Sequence, residues 1–217
     1  MILYKRDKNM LWNLDNVRFL YPPDDFTGTF ANAKMQERHK ALQDQKIKVI
    51  LDHLENQSNP LEAMKGLHDL DHMQFLRNNL EKFRAAGCLE KTVLKLYYRK
   101  NTPFAAFGDY EEWKALLLQC DPTLLAAEGE PCPFEKCVAY RGSVTGKRQG
   151  LSWTINKKEV AWFLERWKDK ELGGGSVFAV EISKGDVMVY SEDAQRQEVI
   201  LHPAVAEAAE IKEIEAI

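Results

Sequence analysis

Four side chains in the last third of the chain have types and spacing that chemistry can use: Arg141, Ser152, Thr154 and Glu198. A guanidinium is planar and always charged, so it grips an anion such as a phosphate through parallel hydrogen bonds. A carboxylate held in place stabilises positive charge that develops in a reacting group. Ser152 and Thr154 stand two residues apart, so on a strand both hydroxyls face one side of a sheet. They are weak nucleophiles alone, and no histidine lies near them in sequence to activate them. Their expected work is to orient the carboxylate.

Strands must hold these groups, and the surrounding sequence supplies them. Val138-Ala139-Tyr140-Arg141 is a compact strand segment, followed by Gly142 and a Gly-, Lys- and Arg-rich turn. Gly150 to Ile155 is the next strand. Asn156 is a natural N-cap for a helix over 157–168, with Val160, Phe163, Leu164 and Trp167 on one face. Gly173-Gly174-Gly175 ends that helix. Val177 to Ile182 alternates as a strand, Lys184-Gly185-Asp186 is a turn, and Val187 to Tyr190 and Glu198 to Leu201 are further strands. The polar loop Ser191 to Gln197 separates the last two. Ile211 and Ile214 mark a final strand or helix.

The first 130 residues read differently. The opening 25 residues, with Pro22-Pro23, form an irregular arm that packs on the body. Leu42, Ile47, Ile50, Leu51 and Leu54 recur at spacings of three and four, which predicts a helix from about Asn32 to Asn56. Asn59-Pro60 breaks it. A second helix is expected from Leu61 to Ala86, carrying Met64, Leu67, Phe75, Leu76, Leu80 and Phe83, with Gly87 as its stop. Residues 92–99 fit either helix or strand. Asp109 is an N-cap for a helix from Tyr110 to Gln119. Residues 121–136, with three prolines and a glycine, read as a connector.

Helices followed by closely spaced strands predict an α+β fold, with a helical region over 1–130 and a second domain over 131–217. The chain has 217 residues, 45% hydrophobic and 29% charged, enough for a core without disulfides or metals. Its net charge is -3, and neither part is basic, so whole-chain electrostatics call for no polyanion. No secretion signal or membrane-spanning run is present in the sequence, so a cytoplasmic location and no membrane partner are expected. Cys88, Cys120, Cys132 and Cys137 are too few for a disulfide framework and are expected as thiols.

Taken in order, Tyr140-Arg141-Gly142, Gly150-Leu151-Ser152-Trp153-Thr154, Ala161-Trp162-Phe163 and Gln197-Glu198-Val199-Ile200-Leu201 resemble the Arg–Ser–Glu class of mono-ADP-ribosyltransferases. The resemblance covers about Cys137 to Pro203. It implies an ADP-ribosyltransferase-like split β-sheet domain with NAD as co-substrate and no metal. It assigns Arg141 to the pyrophosphate and Gly142 to close backbone approach at the nicotinamide amide. Ser152 and Thr154 orient Glu198 and hold the split core open around NAD. Glu198 stabilises the oxocarbenium-like charge formed as the nicotinamide–ribose bond breaks, as carboxylates do in glycosidases. Phe163 or Trp153 stacks on the nicotinamide ring.

One position departs from the pattern. Arginine-modifying members carry a second Glu two residues before the catalytic one, and some others carry Gln; here it is Arg196. A cation repels an arginine acceptor, so arginine modification is not expected. Arg196 either grips a phosphate of a nucleic-acid acceptor or lies outside the site, with Gln195 and Gln197 as polar contacts beside it. The acceptor is thus a protein or a nucleic acid. The toxin-like character of the resemblance implies an antitoxin or host-factor partner, as in toxin–antitoxin or phage-defence systems.

Two other readings belong to different classes. An NAD glycohydrolase would use the same Arg141 and Glu198 with water as acceptor. A non-catalytic binding module would keep the strands as a scaffold only. Among other motifs, His68 and His72 share one helix face but lack the Glu of a zinc-protease pattern. Cys132 and Cys137 are not a CxxC pair. Lys147-Arg148 lacks the lysine and hydroxyl placement of a P-loop. Each reads as ordinary surface or packing.

Overall fold

A computed structural model describes residues 11–19, 32–99, 108–167, 175–192, 197–207 and 211–216. The chain forms two compact units, Met1–Thr92 and Val93–Ile217. The division falls within a helix, earlier than the connector near residue 130 where the sequence places the functional boundary.

The first unit is helical among its described residues. Helix α1 (Ala33–Glu55) starts where Asn32 accepts a hydrogen bond from the Lys34 amide, and it buries Ile47, Ile50 and Leu54. Leu42 stays exposed, so only the C-terminal half of the expected stripe is core. The single helix expected over 61–86 is three: α2 (Pro60–Lys65), α3 (Asp69–Asn78) and α4 (Leu80–Ala85). Local capping is the reason. Asn59 caps α2 with Pro60 in the first turn, and His68 Nδ1 accepts from the Leu70 amide to start α3. Asn79 then ends α3 because its side chain has better partners than a continuing helix offers. It accepts from the Asn13 amide at 2.9 Å and donates to the carbonyls of Asn13 and Phe75, both at 2.9 Å. Gly87, at φ +62, stops α4 as expected.

The arm packs where it is described. The Trp12 indole lies 5.4 Å from the Phe75 ring, and its Nε1 donates to the carbonyls of Leu54 and Gln57. Phe75 and Phe83 meet edge to face beneath it, both fully buried.

Helix α5 (Leu89–Tyr98) resolves the open assignment of residues 92–99 as helix, and its last turns belong to the second unit. There α6 (Tyr110–Leu117) begins at a reciprocal capping box between Asp109 and Glu112. The expected connector contains a further short helix, α7 (Pro122–Ala127), capped by Asp121 with Pro122 at its first position. Proline marked a helix start there rather than a loop.

Six strands follow: β1 (Lys136–Ser143), β2 (Ser152–Thr154), β3 (Ser176–Ser183), β4 (Val187–Ser191), β5 (Glu198–Leu201) and β6 (Lys212–Ala216). They form one antiparallel sheet in the order β4-β5-β2-β1-β3-β6. Helix α8 (Lys157–Trp167) begins at Asn156, whose side chain accepts from the Lys158 amide. It packs Val160 and Leu164 onto Val144 and Val177, with Tyr140, Phe163 and Trp167 around them. A short helix after β5, α9 (Pro203–Ala206), carries no apolar period and has no counterpart in the sequence reading. The fold class is therefore α+β, with helices preceding an antiparallel sheet.

Candidate active site around Arg141, Ser152 and Glu198

The sheet is continuous on paper but weakly joined at its centre. Strand β1 pairs with β3 over its whole length, Lys136 to Ser143. It pairs with β2 only at Tyr140 and Thr154. Next in register would come Arg141 with Trp153 and Gly142 with Ser152, and neither pair forms. The sheet thus opens between β1 and β2 on the side where Arg141 stands.

Across the join, Tyr140, Thr154, Glu198 and Ser191 lie in one row over β1, β2, β5 and β4. Directly opposed residues share a face, so these four side chains project from the same side. Ser152 projects there too, two residues from Thr154 and opposite Ile200. Arg141, next to Tyr140, falls on the other face by simple alternation. Its long side chain instead lies in the opening. Nη1 donates to the Ser152 carbonyl at 3.1 Å, which supplies an acceptor partner that the interrupted ladder does not. The guanidinium sits against Gly150, where an added Cβ would collide with Cζ, Nε and Nη1. Nε is buried and has no hydrogen-bond partner among the described residues.

Arg141 is half-buried, and its sealed, unpaired Nε makes compensating charge nearby favourable. Burial pulls the Arg141 guanidinium below its ordinary value, and the Tyr97 and Tyr110 phenols and the Glu198 carboxylate oppose that shift. Arg141, Ser152 and Glu198 are therefore within electrostatic or hydrogen-bonding reach of one another, despite the alternation of the strands. The permanent charge of the guanidinium is of the kind that pairs with an anionic group.

Helices α5 and α6 bring residues that the sequence reading does not single out. The Tyr97 hydroxyl is hydrogen-bonded to Ser152 Oγ, and its ring meets Trp113 edge to face at 5.1 Å. The Tyr98 phenol stands near the Ser191 side chain. Both phenols are pushed well above the ordinary tyrosine range, first by burial and then by the Glu198 charge, although the Tyr98 ring keeps 36% exposure. The Tyr110 hydroxyl donates to Glu207 at 3.0 Å, and Lys114 pairs with the same carboxylate oxygen at 2.5 Å. Nothing in the local sequence marks these tyrosines. Their partners are strand hydroxyls and acids 55 to 97 residues away, and only the fold pairs them.

The other expected site residues divide. Thr154 shares the Glu198 row, and its Oγ1 accepts from the Asn156 amide at 3.0 Å, tying β2 to the start of α8. Gly142 has a packing reason for lacking a side chain, because a Cβ there would press on Val160, Phe163 and Leu164 of α8 at 3.1–3.2 Å. Trp153 is buried on the face opposite Ser152 and Thr154, and its Nε1 donates to the Gly150 carbonyl at 2.7 Å. That removes it as a ring to stack on a ligand beside Ser152 and leaves Phe163, half-buried on α8, as the stacking candidate. Gln197 stands immediately before Glu198 at φ +40, a left-handed conformation that is uncommon outside glycine. Its carbonyl accepts from the Ile155 amide at 3.2 Å, which fixes the approach to Glu198. Gln195 and Arg196 lie outside the described residues.

His68 caps α3, and His72 faces the Leu67 carbonyl at 3.0 Å. Among the described residues no three of His, Cys, Asp and Glu group as a metal site. None of the four cysteines is in a disulfide, and burial pushes the Cys137 thiol up to about 11. No described helix is long and apolar enough to cross a membrane.

Compared with known proteins, the chain matches no family model, and no curated protein or solved structure matches it significantly.

Proposed function

We propose that the strand-bearing region is a mono-ADP-ribosyltransferase of the Arg–Ser–Glu type, with an ADP-ribosyltransferase-like split sheet over about residues 131–217. The observation that carries the reading is that Arg141 bonds the Ser152 carbonyl and feels the Glu198 charge where β1 and β2 pair at a single described position. Arg141 binds the NAD pyrophosphate through its charge. Ser152 and Thr154 line the face that carries Glu198. Glu198 stabilises the positive charge on the ribose as the bond from C1′ to the nicotinamide nitrogen breaks. The bonding pair leaves with nicotinamide, the acceptor's lone pair forms the new bond to C1′, and the acceptor loses a proton. Phe163 supplies the aromatic face for the nicotinamide. The acceptor is a macromolecule, met by the loop that contains Gln195, Arg196 and Gln197. A cytoplasmic toxin-like enzyme held by an antitoxin or host factor is the setting that this reading implies.

The experiment is incubation of the full chain with NAD labelled in its adenylate part and a cell lysate, followed by separate protease and nuclease digestion. Label in macromolecules supports transfer, and the enzyme that releases it identifies the acceptor class. Free ADP-ribose without labelled macromolecule supports the glycohydrolase reading. Intact NAD under every condition overturns both.

A further inference from the structure

We infer that Tyr97 is a positioning residue of this site, holding the Ser152 hydroxyl so that the row carrying Glu198 keeps its geometry; the inference rests on the transferase reading above. Tyr97 stands near the end of α5, and its hydroxyl is hydrogen-bonded to Ser152 Oγ on β2. Tyr98, the next residue, has its phenol near the Ser191 side chain on β4. Strand β5 lies between β2 and β4, and Ser191 opposes Glu198 directly. Tyr97 thus fastens β2, the strand beside the one that carries the acid, while Tyr98 stands near β4 on its other side.

The rigidity of Tyr97 follows from its packing. It is buried, and the edge of one ring meets the face of the other where it packs with Trp113. A phenol fixed by its ring and bonded at its oxygen holds a serine rotamer more firmly than water does, because the ordering cost is met by the core. Ser152 in turn has its carbonyl bonded to Arg141 Nη1. One residue therefore joins Tyr97, Arg141 and the Glu198-bearing face. The phenol keeps its proton at neutral pH, since burial and the nearby Glu198 charge both disfavour the phenolate. This makes residues 93–98 part of the catalytic unit, in keeping with the division of the chain at Thr92.

The test compares full-length wild type, Tyr97→Phe, Ser152→Ala and the double variant for nicotinamide release from NAD. Tyr97→Phe removes one oxygen and leaves the ring on Trp113. The expected result is a loss of about tenfold in kcat, the worth of one buried hydrogen bond, with KM for NAD within about twofold. The double variant should be no slower than Ser152→Ala. An unchanged kcat in Tyr97→Phe overturns the inference. So does an equal loss from Tyr97→Phe in the Ser152→Ala background, or an effect on KM alone. If Tyr97→Phe fails to fold, Ser152→Ala removes the same bond from its other end, and an unchanged kcat there also overturns it. A wild type that releases no nicotinamide fails the transferase reading itself. An active wild type indifferent to Tyr97→Phe fails only the positioning role.

Discussion

Gly150→Ala tests the Arg141 arrangement without touching Arg141. Gly150 is buried and has no positive φ, so its backbone accepts a side chain; the obstacle is the Arg141 guanidinium, which the new Cβ overlaps at Cζ, Nε and Nη1. The far end of an arginine is the part that gives way. It leaves the Ser152 carbonyl, and a hydrogen bond from a charged donor worth about 1.5–3 kcal/mol is lost. Stability should fall by less than that, because the displaced guanidinium regains water and Nε is no longer buried without a partner. NAD binding should lose about tenfold to a hundredfold if the guanidinium must sit in the opening to meet the pyrophosphate. Calorimetric titration with NAD measures the loss, and a thermal melt separates it from unfolding. Adding Arg141→Ala should then cost nothing more than Arg141→Ala alone, since both act through one group. Wild-type affinity in Gly150→Ala, or a penalty that persists at full size in the Arg141→Ala background, refutes this reasoning.

Two further predictions concern the rest of the molecule. Tyr97, Tyr98 and Tyr110 have pKa values raised above the ordinary tyrosine value, so the stability tied to their protonated forms is intact below about pH 10 and is lost as pH rises above it. Melting temperature followed into alkali should drop there. Glu198→Gln removes a charge that disfavours the Tyr97 and Tyr98 phenolates, so their phenolate absorbance should appear at lower pH and the alkaline drop should be shallower; an unchanged titration would refute the coupling. In the first unit, Asn79→Ala breaks two hydrogen bonds to Asn13, in the segment carrying Trp12, and a third to the Phe75 carbonyl within α3, and should cost roughly 2–3 kcal/mol. Chemical denaturation of the full chain checks this, and an unchanged midpoint would mean that the arm is not held by Asn79.

The fold was legible where local chemistry decides it. Asn32, Asp109 and Asn156 announce helix starts because a short polar side chain satisfies an otherwise unpaired amide. Alternation exposes β3, and the apolar run after Glu198 exposes β5. Legibility failed where a residue had two local uses. Pro122 falls in the expected connector but starts α7, and Asn79 falls inside the helix expected over 61–86 but ends α3 because distant backbone groups claim its side chain. At the candidate site, Arg141, Ser152 and Glu198 could be chosen from type, order and strand context. That Arg141 reaches the site through a gap between β1 and β2 could not, because strand alternation alone sends it the other way. Nor could the sequence tell that Trp153 is buried while Phe163 is only half-buried.

The central claim is that Glu198 stabilises the breaking nicotinamide–ribose bond while Arg141 holds NAD. Glu198→Gln keeps size and hydrogen bonding and removes the charge. Measured side by side, NAD affinity should stay within about threefold of wild type, since binding rests on Arg141, while nicotinamide release should fall by about a hundredfold to a thousandfold. Wild-type rates of nicotinamide release in Glu198→Gln would contradict the account.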